Sequence, residues 1–426
     1  MSAPADRGPR AEGVGGAKPG AERLITVLKF GGSSLSTAEL REIAASRVID
    51  AVRRGQRPVV VCSALGRAPD PYATDTLAEL LGPVRSGPNR DLLLACGEMI
   101  GSAVFAELLC SLGVAAQAMT GLQAGITTDE RYGDAEIVEI DPAPLRELLA
   151  REIIPVVTGF QGGTRARATT TLGRGGSDLT AIALGDALGG AAVEIYTDVS
   201  GVMTGDPRRV AGAHALERVT QAEMVELAAN GAKVMHHKAA QLAHATSTPY
   251  AVKGLRSNVG TLIDDDAEIS SDRPVTGIAV IRDVTFCRII QGLTDDLERS
   301  DVDRDVLARI AERGISIDMV NVNDAGVFFI VDDELADAVR GALADLNLAL
   351  RMRPHCAKLS IVGAGMRGAS GVMYRIVKTV TEAGVEIIHS TDSNITVSVL
   401  VGADQAVAAE QALHDTFGLG RNTVVR

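Results

Sequence analysis

The stretch from Thr169 to Arg208, TTTLGRGGSDLTAIALGDALGGAAVEIYTDVSGVMTGDPR, constrains this chain more than any other. It opens on a glycine-rich loop, Gly173-Arg174-Gly175-Gly176, followed by Ser177 and Asp178, both suited to start a helix. Leu179 to Leu188 carries Leu, Ala and Ile on a helical period, and Gly189-Gly190 ends it. Val193 to Tyr196 reads as a buried strand that runs into Thr197-Asp198 and a polar loop ending at Arg208. Glycines let backbone N–H groups approach an anion closely, and a helix N-terminus adds positive potential. Arg174 is placed to fork onto a carboxylate. Asp198 and Asp206 are of the type that handles a metal or a nucleotide. Taken alone, the loop reads more readily as a turn joining two elements.

A second loop of the same character lies near the N-terminus. The apolar strand from Ile25 to Leu28 enters Lys29-Phe30-Gly31-Gly32-Ser33-Ser34, and a helix follows from about Thr37 to Arg54. This resembles a phosphate cradle but is no Walker loop, because GxxxxGK[ST] is absent. A lysine preceding the glycines would put its ammonium on a phosphoryl group; a surface lysine before a turn is an equal reading of this motif alone. Further apolar strands end at Ser63, Thr120-Gly121 and Thr158-Gly159-Phe160-Gln161. Strands alternating with helices from Leu24 to about Ile263 predict a mostly parallel sheet with helices on both faces. Ligands of such sheets gather at the carboxyl ends of strands. Lys29, Ser63, Phe160 and Asp198 all stand just past such ends.

Composition narrows the function classes. Of 426 residues, 46 % are apolar but only 3 % aromatic, with no Trp, so the core is built from Ala, Val, Leu and Ile. That argues against stacking on single-stranded nucleic acid. The net charge of -12 disfavours nucleic acid or an anionic membrane as the main partner. Five scattered cysteines without a CxxC pair imply neither a disulfide framework nor a zinc site, and a cytoplasmic location is expected. No apolar run approaches the roughly 18 residues of a membrane span. Residues 1–22, rich in Ala, Gly, Pro and charge, read as a disordered tail.

Several other positions invite chemistry. The hydroxyl-rich loop Ala68 to Thr76 could close over a strand end. Glu98 sits in an apolar helix, Asp91 to Cys110, and a lone acid there requires a partner, a cationic ligand or a structural Lys or Arg. A helix is predicted from Met224 to Leu242, carrying Lys233, His236, His237 and Lys238. Either lysine could reach a phosphate, whereas adjacent histidines about 100° apart on a helix do not chelate one metal together. After Ile263 the character changes. LARIAERGISI at 307–317 is matched by VKTVTEAGVEI at 377–387, an offset of 70 residues, each followed by a strand and a helix. This is an internal repeat of a βαββαβ unit. Gly363-Ala364-Gly365-Met366-Arg367-Gly368 fits a dinucleotide fingerprint, with Asp392 closing the next strand, but only 34 residues follow Asp392, too few for that domain.

With KFGGSS, TTTLGRGGSD, YTDVSGVMTGDPR and GAKV in one order, the chain resembles the aspartate kinases of the amino-acid kinase superfamily, from about Leu24 to its end. The resemblance implies an α/β amino-acid kinase fold over 23–264, a linker at 265–274, and two ACT-type regulatory units at 275–350 and 351–426. DPYATDTL and SIVGAGMRGASGVM look closest to the diaminopimelate-sensitive bacterial class. The implied reaction is ATP-dependent phosphorylation of the β-carboxylate of L-aspartate. Lys29 would stabilise the transferring phosphoryl group. Arg174, with Thr74, Phe160, Gly175, Gly176 and Ser177, would hold the aspartate, and Glu98 would face its ammonium. Phe30, Gly31, Gly32, Ser63, Thr197, Asp198, Met203, Asp206, Arg208 and Lys233 would surround ATP, whose Mg²⁺ comes with the nucleotide rather than from a protein site. A lysine, threonine or diaminopimelate effector and a homo-oligomer are implied for the regulatory units. The chain departs from the family at Met203, where many members carry Tyr, at Thr294-Asp295-Asp296-Leu297, where PDKPG-like sequences are common, and at His237, often Pro. Two alternatives stay open: an amino-acid sensor with a decayed kinase domain, and an NAD-dependent dehydrogenase.

Overall fold

The computed structural model describes residues 24–82, 85–232, 234–257, 259–266, 274–290, 296–346, 348–366 and 369–420, with backbone alone at 296–300. The expected tail, Lys233, most of the linker, Thr294-Asp295 and Arg367-Gly368 lie outside the described residues.

Short, β-branched strands build the first layer. Ile25–Phe30, Arg57–Cys62, Ile154–Thr158 and Ala116–Met119 pair in parallel on one side, and Ala192–Thr197 and Tyr250–Gly254 on the other. Gly260–Ile263 closes that side antiparallel, and Arg218–Val219 completes the sheet of eight described strands. Alternate side chains enter two cores. Val27, Val59, Val61, Val193 and Ile195 meet helices Gly176–Ala187, Gln221–Ala229 and His237–Thr246 on one face. Leu28, Phe30, Val60, Cys62 and Tyr196 meet helices Ala38–Arg53 and Pro88–Ser111 on the other. Near-continuous apolar runs are what two covered faces require. Strand order reverses at Ile25–Phe30, whose neighbours are Arg57–Cys62 and Ala192–Thr197, so a crevice opens at its carboxyl end. The helix Pro88–Ser111 is long and apolar enough to cross a membrane, but it packs through Leu94, Phe105 and Leu109 into the domain and carries two buried acids, Asp91 and Glu98.

The helix predicted over 224–242 is interrupted. Gln221–Ala229 ends at Asn230, Gly231 takes φ +106°, and a second helix begins at His237. A Cβ on Gly231 would meet the carbonyl of Val280, so the break lets the segment press against the strand Gly277–Ile290 of the second sheet. His237 occupies the first helical position, where proline is favoured for its fixed φ, and is free of any demand for that residue.

The second part of the chain is one antiparallel sheet of six described strands. Its two central members, Gly277–Ile290 and Ala349–Val362, pair along their whole length. Each runs through both βαββαβ units: 284–290 and 349–356 close the first, and 277–282 and 356–362 the second. The division expected at 350/351 thus falls inside a strand, and the second unit takes its last strand from the segment that precedes the first. The crossing is marked by register shifts and by positive φ at Asp283 (58°) and His355 (55°). The repeat offset holds in the strands Gly326–Asp332 and Thr396–Gly402.

The six-stranded sheet and the first domain meet across polar side chains on the helix Gln221–Ala229 and its cap. Glu223 accepts hydrogen bonds from Thr276 Oγ1 (2.7 Å) and the Ala364 amide (2.8 Å), Glu226 from Thr396 Oγ1 (2.7 Å), and Asn230 from Ser360 Oγ (2.9 Å).

Candidate active site

The crevice is a cavity of about 900 Å³ at the strand ends, within the range of small-molecule sites. Its floor is Lys29, the residue that turns out of the first strand. Lys29 is only 8 % exposed, and its Nζ lies 2.6 Å from Asp178 Oδ1 in the first turn of helix Gly176–Ala187. An ammonium buried this way needs a carboxylate. Asp178 was legible only as a helix starter, and its role as the lysine's counter-ion needs the fold to bring together positions 149 residues apart.

Two glycine-bearing loops frame the lysine. A Cβ on Gly32 would strike the carbonyls of Gly66 and Ala64, so only glycine lets this loop meet the one after the second strand. Gly175 has φ +72° and lies against His236, whose ring a Cβ there would overlap. His236, which sequence reasoning weighed only as a poor metal ligand, therefore forms the cavity wall behind Arg174. Burial and the charge of neighbouring Lys238 and His237 hold its imidazole below the usual histidine range. Lys238 pairs with Asp134 instead of reaching into the cavity.

At the opposite end stands Glu98, 2 % exposed. Glycines one helical turn apart place it there: Gly97 and Gly101 have no room for a Cβ against Tyr72, Ala64 and Ser63. Glu98 Oε1 accepts the Ala64 amide (3.2 Å) and the Thr74 hydroxyl (3.4 Å), while Oε2 is buried without a hydrogen-bond partner among the described residues. Burial pushes its carboxyl up to about 8, against which these hydrogen bonds pull only partly. The end of the loop expected over Ala68–Thr76 is helical instead, and the short helix Thr74–Glu79 brings Thr74 over the cavity. Phe160 holds a left-handed backbone (φ +69°), strained for an aromatic residue, and lines the wall between Glu98 and Ser177 in the same cavity.

Lys29, Gly31, Gly32, Ser63, Thr74, Glu98, Phe160, Arg174, Gly175, Gly176, Ser177 and Thr197 thus share one cavity, as the sequence suggested. Five expected nucleotide contacts do not line it. Phe30 is wholly buried, stacked on Tyr196 at 5.1 Å, because its strand alternates and Lys29 takes the cavity side. Asp198 pairs with Arg67 at 3.5 Å across the rim. Met203 bridges Ala215 through its backbone, and Asp206 and Arg208 pair with each other at 2.9 Å. Arg208 holds Asp206 below the usual carboxylate range. No group of three or more metal-ligating side chains occurs among the described residues.

Residues 25–253 match the amino acid kinase family, and 359–417 match an ACT domain. The chain is 39 % identical to aspartokinase 1 of Bacillus subtilis over 93 % of its own length and the whole of that protein. It is 37 % identical to the aspartokinase of Corynebacterium glutamicum, over 93 % and 96 %. Its structure superposes on E. coli aspartokinase III in complex with aspartate and ADP with a TM-score of 0.73 at 25 % identity, covering 92 % of this chain and 99 % of that one. A buried lysine between two glycine loops, an arginine among glycines and a lone buried acid have a single account in that company: the chain belongs to the aspartokinases of the amino acid kinase family.

Proposed function

We propose that phosphoryl transfer from ATP to the β-carboxylate of L-aspartate runs through Lys29, with the substrate held between Arg174 and Glu98. The observation that carries this reading is the juxtaposition in one cavity of the Lys29–Asp178 pair and a buried, partly unsatisfied Glu98. A carboxylate nucleophile is already ionised at neutral pH, so no general base is required. What remains is positioning and neutralisation of charge on the phosphoryl group. Lys29 supplies the positive charge, and Asp178 fixes its direction. Arg174 and the amides at the start of helix Gly176–Ala187 take the α-carboxylate. Glu98 takes the ammonium, which leaves the β-carboxylate turned towards Lys29. The nucleotide lies over Thr197 and the loop to Arg208, with Mg²⁺ as part of the MgATP substrate.

In E. coli aspartokinase III a lysine complex is named as a T-state. By that likeness the regulatory units here bind an amino acid of the lysine, threonine or diaminopimelate type, and the protein works as a homo-oligomer joined through them. The test is ADP release from MgATP with and without L-aspartate, with hydroxylamine to trap acyl phosphate. Aspartate-dependent ADP and hydroxamate support the reading. Hydroxamate with glutamate but not aspartate overturns it. Inhibition by one of the three amino acids, tested on the same assay, checks the regulatory half.

A further inference from the structure

Asp91 is a fully buried acid that the mechanism above does not use. It lies in the first turn of helix Pro88–Ser111 and does not line the cavity. An acid there commonly caps its own helix or meets the helix dipole in water. Asp91 instead reaches sideways to two distant segments. Its Oδ2 accepts the Thr171 amide at 2.7 Å and the Gly133 amide at 3.0 Å. Its Oδ1 is buried with no hydrogen-bond partner among the described residues. One oxygen therefore serves two backbone donors, a buried one at Thr171 that would otherwise be unsatisfied and a half-buried one at Gly133.

Both donors belong to the mount of Arg174. Thr171 is the last residue of strand Thr169–Thr171, three positions before Arg174, and its carbonyl accepts the Ala135 amide at 2.9 Å. Leu172 donates to the Phe160 carbonyl at 2.8 Å. Gly173 lies against Gly133 and Asp134, where a Cβ would meet the Asp134 carboxylate. The turn at Gly133 thus braces the loop from one side and the strand feeds it from the other, and Asp91 ties the two together. By contrast, the Lys29–Asp178 pair hangs on the first strand and on helix Gly176–Ala187, past the loop.

We propose that Asp91 is a positioning residue for aspartate binding: its carboxylate pins the strand and turn that present Arg174. The inference rests on Arg174 being the ligand of the aspartate carboxylate. Displacing such a group by about 1 Å costs on the order of 10²-fold. The effect belongs to aspartate and spares ATP.

The test compares full-length Asp91→Ala, Asp91→Asn, Arg174→Ala and the double variant Asp91→Ala/Arg174→Ala, by steady-state kinetics in both substrates and by amide exchange. In Asp91→Ala, KM for aspartate should rise about tenfold or more, with KM for ATP within about twofold. Exchange at 131–135 and 169–175 should quicken. Asp91→Asn keeps one acceptor oxygen and should fall between; it carries the same test if the alanine variant does not fold. On the Arg174→Ala background, loss of Asp91 should add nothing to KM for aspartate. An unchanged KM for aspartate in a folded variant overturns the proposal, as do equal rises for both substrates or additive rises in the double variant. An Arg174→Ala enzyme with an unchanged KM for aspartate overturns the reading of Arg174 itself, and with it this inference, even where exchange shows that the tether exists.

Discussion

The two ends of the cavity are built differently. The end proposed for aspartate is mounted on ordered parts of the kinase domain: buried Glu98 on Pro88–Ser111, half-buried Thr74 hydrogen-bonded to it, half-buried Phe160 in a strained turn, and exposed Arg174 on a braced loop. Beyond Thr197, at the end proposed for the nucleotide, the cavity gives way to a surface loop whose carboxylates are paired with arginines, Asp198 with Arg67 and Asp206 with Arg208 and Arg209. That loop is also the place where the second regulatory unit touches the site. Helix Ala406–Thr416 holds it through His414 Nε2 and Thr204 Oγ1 (3.0 Å), Glu410 and the Asp206 amide (3.4 Å), and Gln411 and the Ala211 amide (2.7 Å). Arg282, from the strand shared by both units, pairs with Glu410 at 3.1 Å. The difference teaches that the kinase domain alone shapes the aspartate end, whereas the nucleotide end is finished by the regulatory sheet.

The largest effect is expected at Lys29, where the two ends meet. Lys29→Ala should lower kcat by about 10²- to 10³-fold or more, since it removes a charge needed in the transition state. It also strands Asp178 without its partner, a loss of about 3 kcal/mol or more in stability for a buried pair. The double variant Lys29→Met/Asp178→Asn removes both charges, and a thermal melt should show it recovering stability but not turnover. Turnover near wild type in either variant would detach the lysine from the chemistry.

Glu98 comes next and defines the aspartate end. With its carboxyl near 8, Glu98 is mostly neutral in the free protein at pH 7. The ammonium of aspartate favours the charged form, so binding should release a proton, and affinity should strengthen as pH rises from 6 to 8, up to about tenfold per unit. Glu98→Gln should weaken aspartate binding by about 10- to 10²-fold, flatten that pH profile and leave KM for ATP unchanged. The variant should also melt no lower than wild type above pH 8. Glu98 is raised above its unfolded value, so its ionisation in the fold carries a penalty that grows as pH climbs through 8, and glutamine removes it. A calorimetric proton release identical in both proteins would place the ammonium elsewhere.

How much of this was legible in the sequence follows from what each feature depends on. The parallel sheet, the glycine loops and the repeat were readable because local period and spacing determine them. Lys29, Glu98 and Arg174 were readable as outliers: a lysine leaving an apolar strand, an acid in an apolar helix, an arginine among glycines. The break between helices at Gly231 was not, because 224–242 keeps a helical pattern throughout and only the Val280 carbonyl from the regulatory sheet explains the interruption. The passage of two strands through both regulatory units was hidden likewise, since a sequence repeat does not say which copy owns a shared strand. Asp178 and Asp91 depend on partners far along the chain, and residue type alone does not distinguish them from ordinary helix starters.

At the nucleotide end effects should be smaller. Arg208 is 82 % exposed and its pair with Asp206 is solvated, so the ion pair itself contributes little. Arg208→Ala should raise KM for ATP by less than about tenfold and leave aspartate untouched. A larger change would mean that the arginine leaves Asp206 for the phosphates when ATP arrives, which a parallel measurement on Asp206→Asn would resolve: that substitution then frees the arginine and lowers KM for ATP.

The smallest effect tests whether regulation enters by this end alone. Gln411 donates to the Ala211 carbonyl at 3.4 Å and accepts its amide at 2.7 Å, two hydrogen bonds between the regulatory helix and the nucleotide loop. Losing them in Gln411→Ala removes about 1 kcal/mol at an exposed contact, or about a fivefold change at most. The change should fall on KM for ATP and on the strength of amino-acid inhibition, with KM for aspartate constant. If aspartate binding changes instead, the regulatory sheet reaches the other end of the cavity too. The route would then run along Gln221–Ala229, whose Glu223 and Glu226 already hold Thr276 and Thr396, into the segment at Gly231 that lines the cavity.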